Sequence, residues 1–175
     1  QIVEKIKKYD SRVNIIVENE ILETGGGLLN AIKKKMLQPK PLFLLNSDTF
    51  WINSTTSPFE LLLQKWDPKS MDILLCLKNK SDFIGYRGNG DFNIKNEAID
   101  CSLISDVFSS MKFVFTGLQI FKPSLIMNFK ESKFSLKEVF YPLIKKKRVF
   151  GYIDKSAWFH ISTPTDFKKM KNKIR

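Results

Sequence analysis

Short apolar runs alternate with runs of helical period through the first half of this chain, and that alternation restricts the fold more than any other feature. VNIIVE (13–18) is short and β-branched and reads as a buried strand. Leu28, Leu29, Ile32, Met36 and Leu37 fall at helical spacing, so 27–37 reads as a helix, and ETGGG before it as a loop. PLFLLN (41–46) and MDILLCLK (71–78) read as buried strands. Between them Ser57 reads as a cap, with Pro58 at the first position of the helix FELLLQKW. The second half changes character. FIGYRGNGDFNI (83–94) has Asn89-Gly90 between two alternating runs, a hairpin signal. MKFVFTGLQIF (111–121) reads as a long strand, 135–147 as a helix containing Pro142, RVFGYI and AWFHI as short strands, and 164–174 as a closing helix. Strand–helix alternation followed by antiparallel pieces predicts an α/β sandwich with a mixed sheet.

At 175 residues the chain fits one domain with a sizeable core, and 43% hydrophobic with 27% charged residues is a globular balance. No apolar run approaches the ~20 residues that span a bilayer. The opening QIVEKIKKYD has no signal-peptide pattern; Ile2, Ile6 and Tyr9 share a helical face, so the chain opens inside a helix. Cys76 and Cys101, the only cysteines, do not make a disulfide framework, and a cytoplasmic location is the expectation. The net charge of +11 suits nucleic acid, an anionic membrane or a phosphorylated substrate. Its clusters, Lys33 to Lys35, Lys145 to Arg148 and Lys168 to Arg175, sit on or beside helix-like runs and read as solvated faces, with no nucleic-acid motif among them.

Three constellations carry chemistry. Gly25, Gly26 and Gly27 lie at the start of a helix, where absent Cβ atoms and free N–H groups let a ligand approach the backbone. No Gly-Lys-Ser/Thr follows, so this is not a P-loop. Asn46-Ser47-Asp48 follows an apolar strand, the place where open α/β sheets bind ligands, and a carboxylate there suits Mg²⁺. In Trp158 to Asp166, Ser162 or Thr163 is a helix cap with Pro164 and Asp166 in the first turn, and His160 is the only histidine.

In this order ILETGGGLLNAI, PLFLLNSDTFW, GNGDFNI, FVFTGLQIFKPSL and AWFHISTPTDFKKM resemble the sugar-1-phosphate nucleotidyltransferases over about residues 1–172. The branch they look most like includes uridylyltransferases of N-acetylmuramate-1-phosphate and mannose-1-phosphate guanylyltransferase-like proteins. The resemblance implies a Rossmann-like three-layer α/β sandwich with a mixed, mostly parallel sheet, residues 1–175 forming a single nucleotidyltransferase domain. It implies transfer of a nucleotide from UTP or GTP to a sugar-1-phosphate with loss of pyrophosphate, assisted by Mg²⁺. By position Glu23, Thr24, Gly25 and Gly26 would lie against base and ribose. Asp48 would hold the metal, with His160 as a second ligand, and Thr116 and Gly117 would line the sugar pocket.

Three departures accompany the resemblance. The family's opening G-x-G-T-R-M-x-P loop is not in this chain, which implies a domain without its first β-α-β portion. His160 stands where the closing motif W-x-D-I-G-T-P has its aspartate, and Ser162 where it has glycine. Imidazole suits Zn²⁺ or Mn²⁺ better than Mg²⁺. A second reading is therefore a non-catalytic relative that binds a nucleotide, a nucleotide sugar or only a partner protein. Sheet edges left open by the missing portion predict self-association.

Overall fold

The computed structural model describes residues 2–105 and 111–174; Gln1 and Arg175 lie outside it. The chain divides into two compact units, 1–40 with 123–139 and 41–122 with 140–175. In the first, α1 (Ile2–Tyr9) is the amphipathic opening helix and α2 (Glu23–Lys33) follows a long irregular stretch. The run 13–18 is not a strand: Val13 and Val17 are exposed, and no described strand pairs with it. β-branched residues fit a pleated surface only when neighbours cover them, and here Ile15 and Ile16 are only partly buried. The helix begins at Glu23, not at 27, so ETGGG is its first turn and not a loop.

The second unit is built on a six-stranded sheet, order β1-β7-β3-β8-β6-β5, from β1 (Leu42–Leu44), β3 (Ile73–Asn79), β5 (Asn93–Ile94), β6 (Cys101–Ser105), β7 (Phe113–Phe121) and β8 (Val149–Ile153). A three-stranded sheet, order β2-β9-β4, joins β2 (Thr49–Ile52), β4 (Phe83–Ile84) and β9 (Ala157–His160). Helices α3 (Pro58–Lys65) and α5 (Pro164–Ile174) belong to this unit, and α4 (Lys137–Lys145), with Pro142 inside it, runs from the first unit into the second. The mixed α/β class is as expected; the predominance of parallel pairing is not. Among the described residues five strand pairings are antiparallel and two, β3 with β8 and β4 with β9, are parallel.

β3 is buried along nearly its whole length because it sits in mid-sheet, and Leu74 and Cys76 pack with Val114, Leu118, Ile120, Tyr152, Leu62 and Trp158 in one core. The expected hairpin at 83–94 does not form. Phe83 and Ile84 pair with β9, whereas Asn93 and Ile94 pair with β6, so the two alternating runs each bury a face against a different sheet. Two strands were not foreseen, β2 and β6. Ser57 makes no side-chain cap for α3, while Thr163 caps α5: its hydroxyl accepts from the Asp166 amide at 3.1 Å and donates to the Asp166 carboxylate at 2.7 Å.

At the amino ends of β3 and β8, Asp72 accepts two hydrogen bonds from the Arg148 guanidinium, at 2.9 and 3.0 Å, and one from Lys122 at 2.7 Å. Hydrogen bonding to Arg148, supported by Lys122, holds the Asp72 carboxyl down at about 2.

Candidate functional site

The strand-end aspartate sits in a corner built by two irregularities. β1, β3 and β8 run in one direction, since β1 and β3 are both antiparallel to β7 and β8 is parallel to β3. The turn carrying Asp48 therefore leaves the sheet at its carboxyl edge, where open α/β sheets take ligands. The β3–β7 register slips between Leu75 and Leu77, which places Thr116, Gly117 and Leu118 opposite Cys76 as a bulge. Gly117 adopts φ +90°, and a Cβ there would stand 2.7 Å from the Cβ of Asn46, so only glycine suits both the torsion and the approach. The Asn46 amide donates to the Gly117 carbonyl at 3.2 Å, tying the turn after β1 to the bulge.

The chain then reverses into β2, which pairs antiparallel with β9 so that Thr49 faces His160. The Ile161 amide donates to the Asp48 carbonyl at 2.8 Å. These bonds bring Asp48 Oδ2 to 4.0 Å from His160 Nδ1. The Asp48 side chain is half exposed and the imidazole 30% exposed, so both are open to solvent. On its far side His160 Nε2 lies 2.6 Å from the Ser162 hydroxyl. A cavity of about 240 Å³ opens beside this pair, lined by Gly85, Tyr86, Arg87, His160, Ser162 and Asp166.

A buried polar network supports β9, and nothing in the sequence reading singled it out. Lys78, 7% exposed, donates to the carbonyls of Asp154 at 3.1 Å and Ser156 at 2.7 Å. The Asp154 carboxylate accepts from the Ser156 amide and the Trp158 indole N–H, each at 2.8 Å. Together they fix the turn from β8 to β9 and so the strand that carries His160. A lysine at the end of an apolar strand and an aspartate four residues before a tryptophan were the available signals; their meeting depends on the β3–β8 pairing.

The other expected site residues have different surroundings. Gly25 and Gly26 both donate their N–H groups to the Phe134 carbonyl, at 3.0 and 3.1 Å. A Cβ on Gly25 would lie 2.3 Å from the Phe134 ring, and one on Gly26 would lie 2.2 Å from the Ser132 carbonyl oxygen. Close passage of residues 132–134 thus accounts for two of the three glycines, and the free N–H groups expected there are occupied. The Thr24 hydroxyl accepts from the Leu136 amide at 3.2 Å. Glu23 is exposed and takes φ 62°, a left-handed conformation unusual for a non-glycine residue. Thr116 is fully buried and its hydroxyl donates to the Cys76 carbonyl at 3.0 Å, so its side chain faces the core and not a sugar pocket. The Cys76 thiol, buried on the same core face, is pushed up by desolvation and by Asp154.

The donor set at Asp48 is mixed. Asp48 supplies carboxylate oxygen and His160 nitrogen, and no group of three or more His, Cys, Asp or Glu side chains converges among the described residues. Mg²⁺ takes oxygen ligands, so Asp48 suits it and His160 does not.

With this geometry in place, the chain compares with known proteins as follows. Its fold is the Rossmann-like fold of the nucleotidyltransferases, and it resembles those that act on sugar-1-phosphates. In sequence it is similar to N-acetylmuramate alpha-1-phosphate uridylyltransferase of Caulobacter vibrioides, 28% identical over 153 residues, which is 86% of this chain and 62% of that protein. The chain thus spans less than two thirds of that relative. HddC of Yersinia pseudotuberculosis, solved with GMP-PN, superposes with a TM-score of 0.69 at 21% identity, covering 99% of this chain and 74% of that one. A UDP-glucose pyrophosphorylase solved with UDP-glucose gives 0.72 at 11% identity, covering 92% and 65%. No family model matches the chain.

Proposed function

We propose that this chain is the greater part of a single nucleotidyltransferase domain, spanning 1–175, that joins a nucleoside triphosphate to a sugar-1-phosphate. The observation that carries this reading is the half-exposed carboxylate of Asp48 at the carboxyl edge of the sheet, beside the glycine bulge at Gly117. The similarity to a uridylyltransferase of N-acetylmuramate-1-phosphate gives the reaction class; fold alone does not. In the reaction a phosphate oxygen of the sugar-1-phosphate attacks the α-phosphorus of UTP or GTP. The bond to the β-phosphate breaks, and pyrophosphate leaves.

In this reading Glu23 and the exposed edge of Thr24 meet the base and ribose. Gly25 and Gly26 act by shaping the helix start, since their amides are engaged. Gly117 rather than the side chain of Thr116 borders the sugar phosphate. The net charge of +11 favours the approach of both phosphorylated substrates. The resemblance implies Mg²⁺ with Asp48 as its oxygen ligand, an ion that the imidazole of His160 does not suit. A cytoplasmic setting follows from this substrate class, and among the described residues no helix is long and apolar enough to cross a membrane. The outer strands β1, β5, β2 and β4, with Phe50 and Ile52 exposed on β2, offer edges for self-association, measurable by sedimentation across a concentration series.

The test is pyrophosphate release from UTP or GTP with a panel of sugar-1-phosphates, run on the chain and on Asp48→Ala. Release that is lost in Asp48→Ala supports the proposal; release retained in that variant overturns the role of Asp48. The His160–Ser162 contact favours the second reading, a relative that binds a nucleotide or nucleotide sugar without turning it over. Nucleotide binding by calorimetry with no pyrophosphate from any pair supports that reading instead.

A further inference from the structure

The three-stranded sheet has a second face, and a cavity opens on it. Successive residues of a strand point to opposite faces. Phe83, Trp158 and Trp51 turn inward and join the core. Ile84, Phe159 and Phe50 are therefore on the other face, in one row, since Phe159 is the register partner of both Ile84 and Phe50. Ile84 and Phe159 border a cavity of about 530 Å³, whose lining also includes Tyr86 and Arg87 after β4 and Lys169 and Met170 of α5. That volume suits a small organic molecule. Tyr86 and Arg87 also line the smaller cavity beside His160, whereas Asp48 lines neither. The geometry points to a binding site in the larger cavity for a small amphiphilic anion, an apolar body that carries a single phosphate, sulfonate or carboxylate group.

Arg87 and Lys169 give the lining two positive charges. The Arg87 side chain is 75% exposed, and its ion pair with Asp166 is one-sided, with Nη2 3.4 Å from Oδ1. A guanidinium–carboxylate bond normally measures about 2.7–2.9 Å and often uses both arms of the fork. Asp166 is already engaged elsewhere: its Oδ2 accepts from the Thr163 amide at 3.0 Å and the Thr163 hydroxyl at 2.7 Å. Arg87 thus keeps most of its donors for another acceptor. Lys169 is exposed, and nothing among the described residues pairs with its ammonium. With Asp166 the one carboxylate in the lining, positive charge is in surplus.

The wall that carries Arg87 is held in place before a ligand arrives. Gly85 takes φ +85°, and a Cβ there would stand 2.5 Å from the His160 carbonyl oxygen, so the loop lies directly on β9. Tyr86 stacks on Phe83, with ring centres 5.8 Å apart and planes 3° from parallel, and its hydroxyl accepts from the Gly90 amide at 3.1 Å. Walls that are already ordered lower the entropic cost of binding. An apolar floor beside two cations with free donors is complementary to an anion with an apolar body; a hydrocarbon uses only the floor and a bare ion only the cations.

The inference does not rest on the nucleotidyl-transfer reading, and its test uses neither nucleotide nor sugar-1-phosphate, so the two fail separately. The probe is octyl phosphate below its micelle concentration, with octanol and inorganic phosphate as its two halves. Met170 is one of five methionines and the one that lines the cavity, so ¹³C-methyl spectra of methionine-labelled protein report on the cavity itself, with Met170→Leu assigning the signal. We expect octyl phosphate to move the Met170 methyl and leave the others in place, and octanol and phosphate each to bind at least about tenfold more weakly. Arg87→Gln and Lys169→Gln, both at exposed side chains, should each weaken octyl phosphate about tenfold, the usual worth of a charge-assisted contact. Phosphatidylglycerol vesicles that move the same methyl support a lipid as the source of the anion; a response to octyl phosphate without one to vesicles supports a soluble source. An unmoved Met170 methyl, an equal response to octanol or to phosphate, a general shift of every methionine, or undiminished binding in both variants overturns the proposal. A matching fold, judged by the amide spectrum of each variant, keeps every outcome interpretable.

Discussion

The glycine run at 25–27 and the turn at 46–48 look alike in sequence, each a polar or small-residue break between apolar runs, yet the structure treats them oppositely. At the glycine run the polar groups are turned inward: two amides share the Phe134 carbonyl, and Thr24 binds the Leu136 amide. At the turn the backbone is tied down, by Asn46 to Gly117 and by Ile161 to Asp48, while the carboxylate of Asp48 stays open to solvent. Glycine can serve packing as readily as binding, because the missing Cβ admits a neighbouring chain as well as a ligand. An exposed carboxylate held by a rigid backbone has no such structural explanation.

The comparison breaks most sharply at Gly26. Gly26→Ala puts a Cβ against the Ser132 carbonyl oxygen at 2.2 Å, and backbone cannot swing aside. A loss of about 3 kcal/mol, read from urea denaturation, is expected, whereas a variant within about 0.5 kcal/mol of the parent would show that the run is not a packing device. Gly27→Ala is the internal control. Its nearest neighbour is the tip of the Glu18 side chain at 2.7 Å, and alanine favours helix by about 1 kcal/mol, so the change should be close to neutral or stabilising. Thr116→Val comes next: removing the hydroxyl that serves the Cys76 carbonyl should cost about 1–2 kcal/mol.

Asp72 sharpens the contrast from the other end of the same sheet. Its folded pKa, about 2, lies below the ordinary 3.8, so the stability it contributes is complete above pH 4 and is lost as pH falls toward 2. Denaturation midpoints measured over that window should fall, and Asp72→Asn should flatten the fall. Asp48→Asn should have the smallest effect on stability, within about 0.5 kcal/mol, because the side chain is half exposed. A large loss there would move Asp48 from the candidate site to the scaffold.

Most strands were legible as apolar runs: β3 and β7 are buried along nearly their whole length, while β1, β8 and β9 are buried only in part but keep the same apolar character. The same logic misread 13–18, with which no described strand pairs, and 83–94, where two alternating runs parted company. It also failed at the first turn of α2, because three glycines lower helix propensity and only contact with 132–134 explains Gly25 and Gly26 there. Asp48, Gly117 and His160 were legible as residues, each through its place in a motif. Lys78 and Asp154 were not, since a buried lysine is satisfied by carbonyls that its own neighbourhood in the sequence does not contain.

By itself the sequence determined the fold class and the positions of most core strands, because burial pattern and side-chain chemistry are local properties. Only the tertiary structure decided that pairing is chiefly antiparallel, that the glycines admit a chain segment, and that Asp48 and His160 face each other across 4.0 Å. Those facts depend on register and close approach between segments far apart in the chain, and no local pattern encodes them.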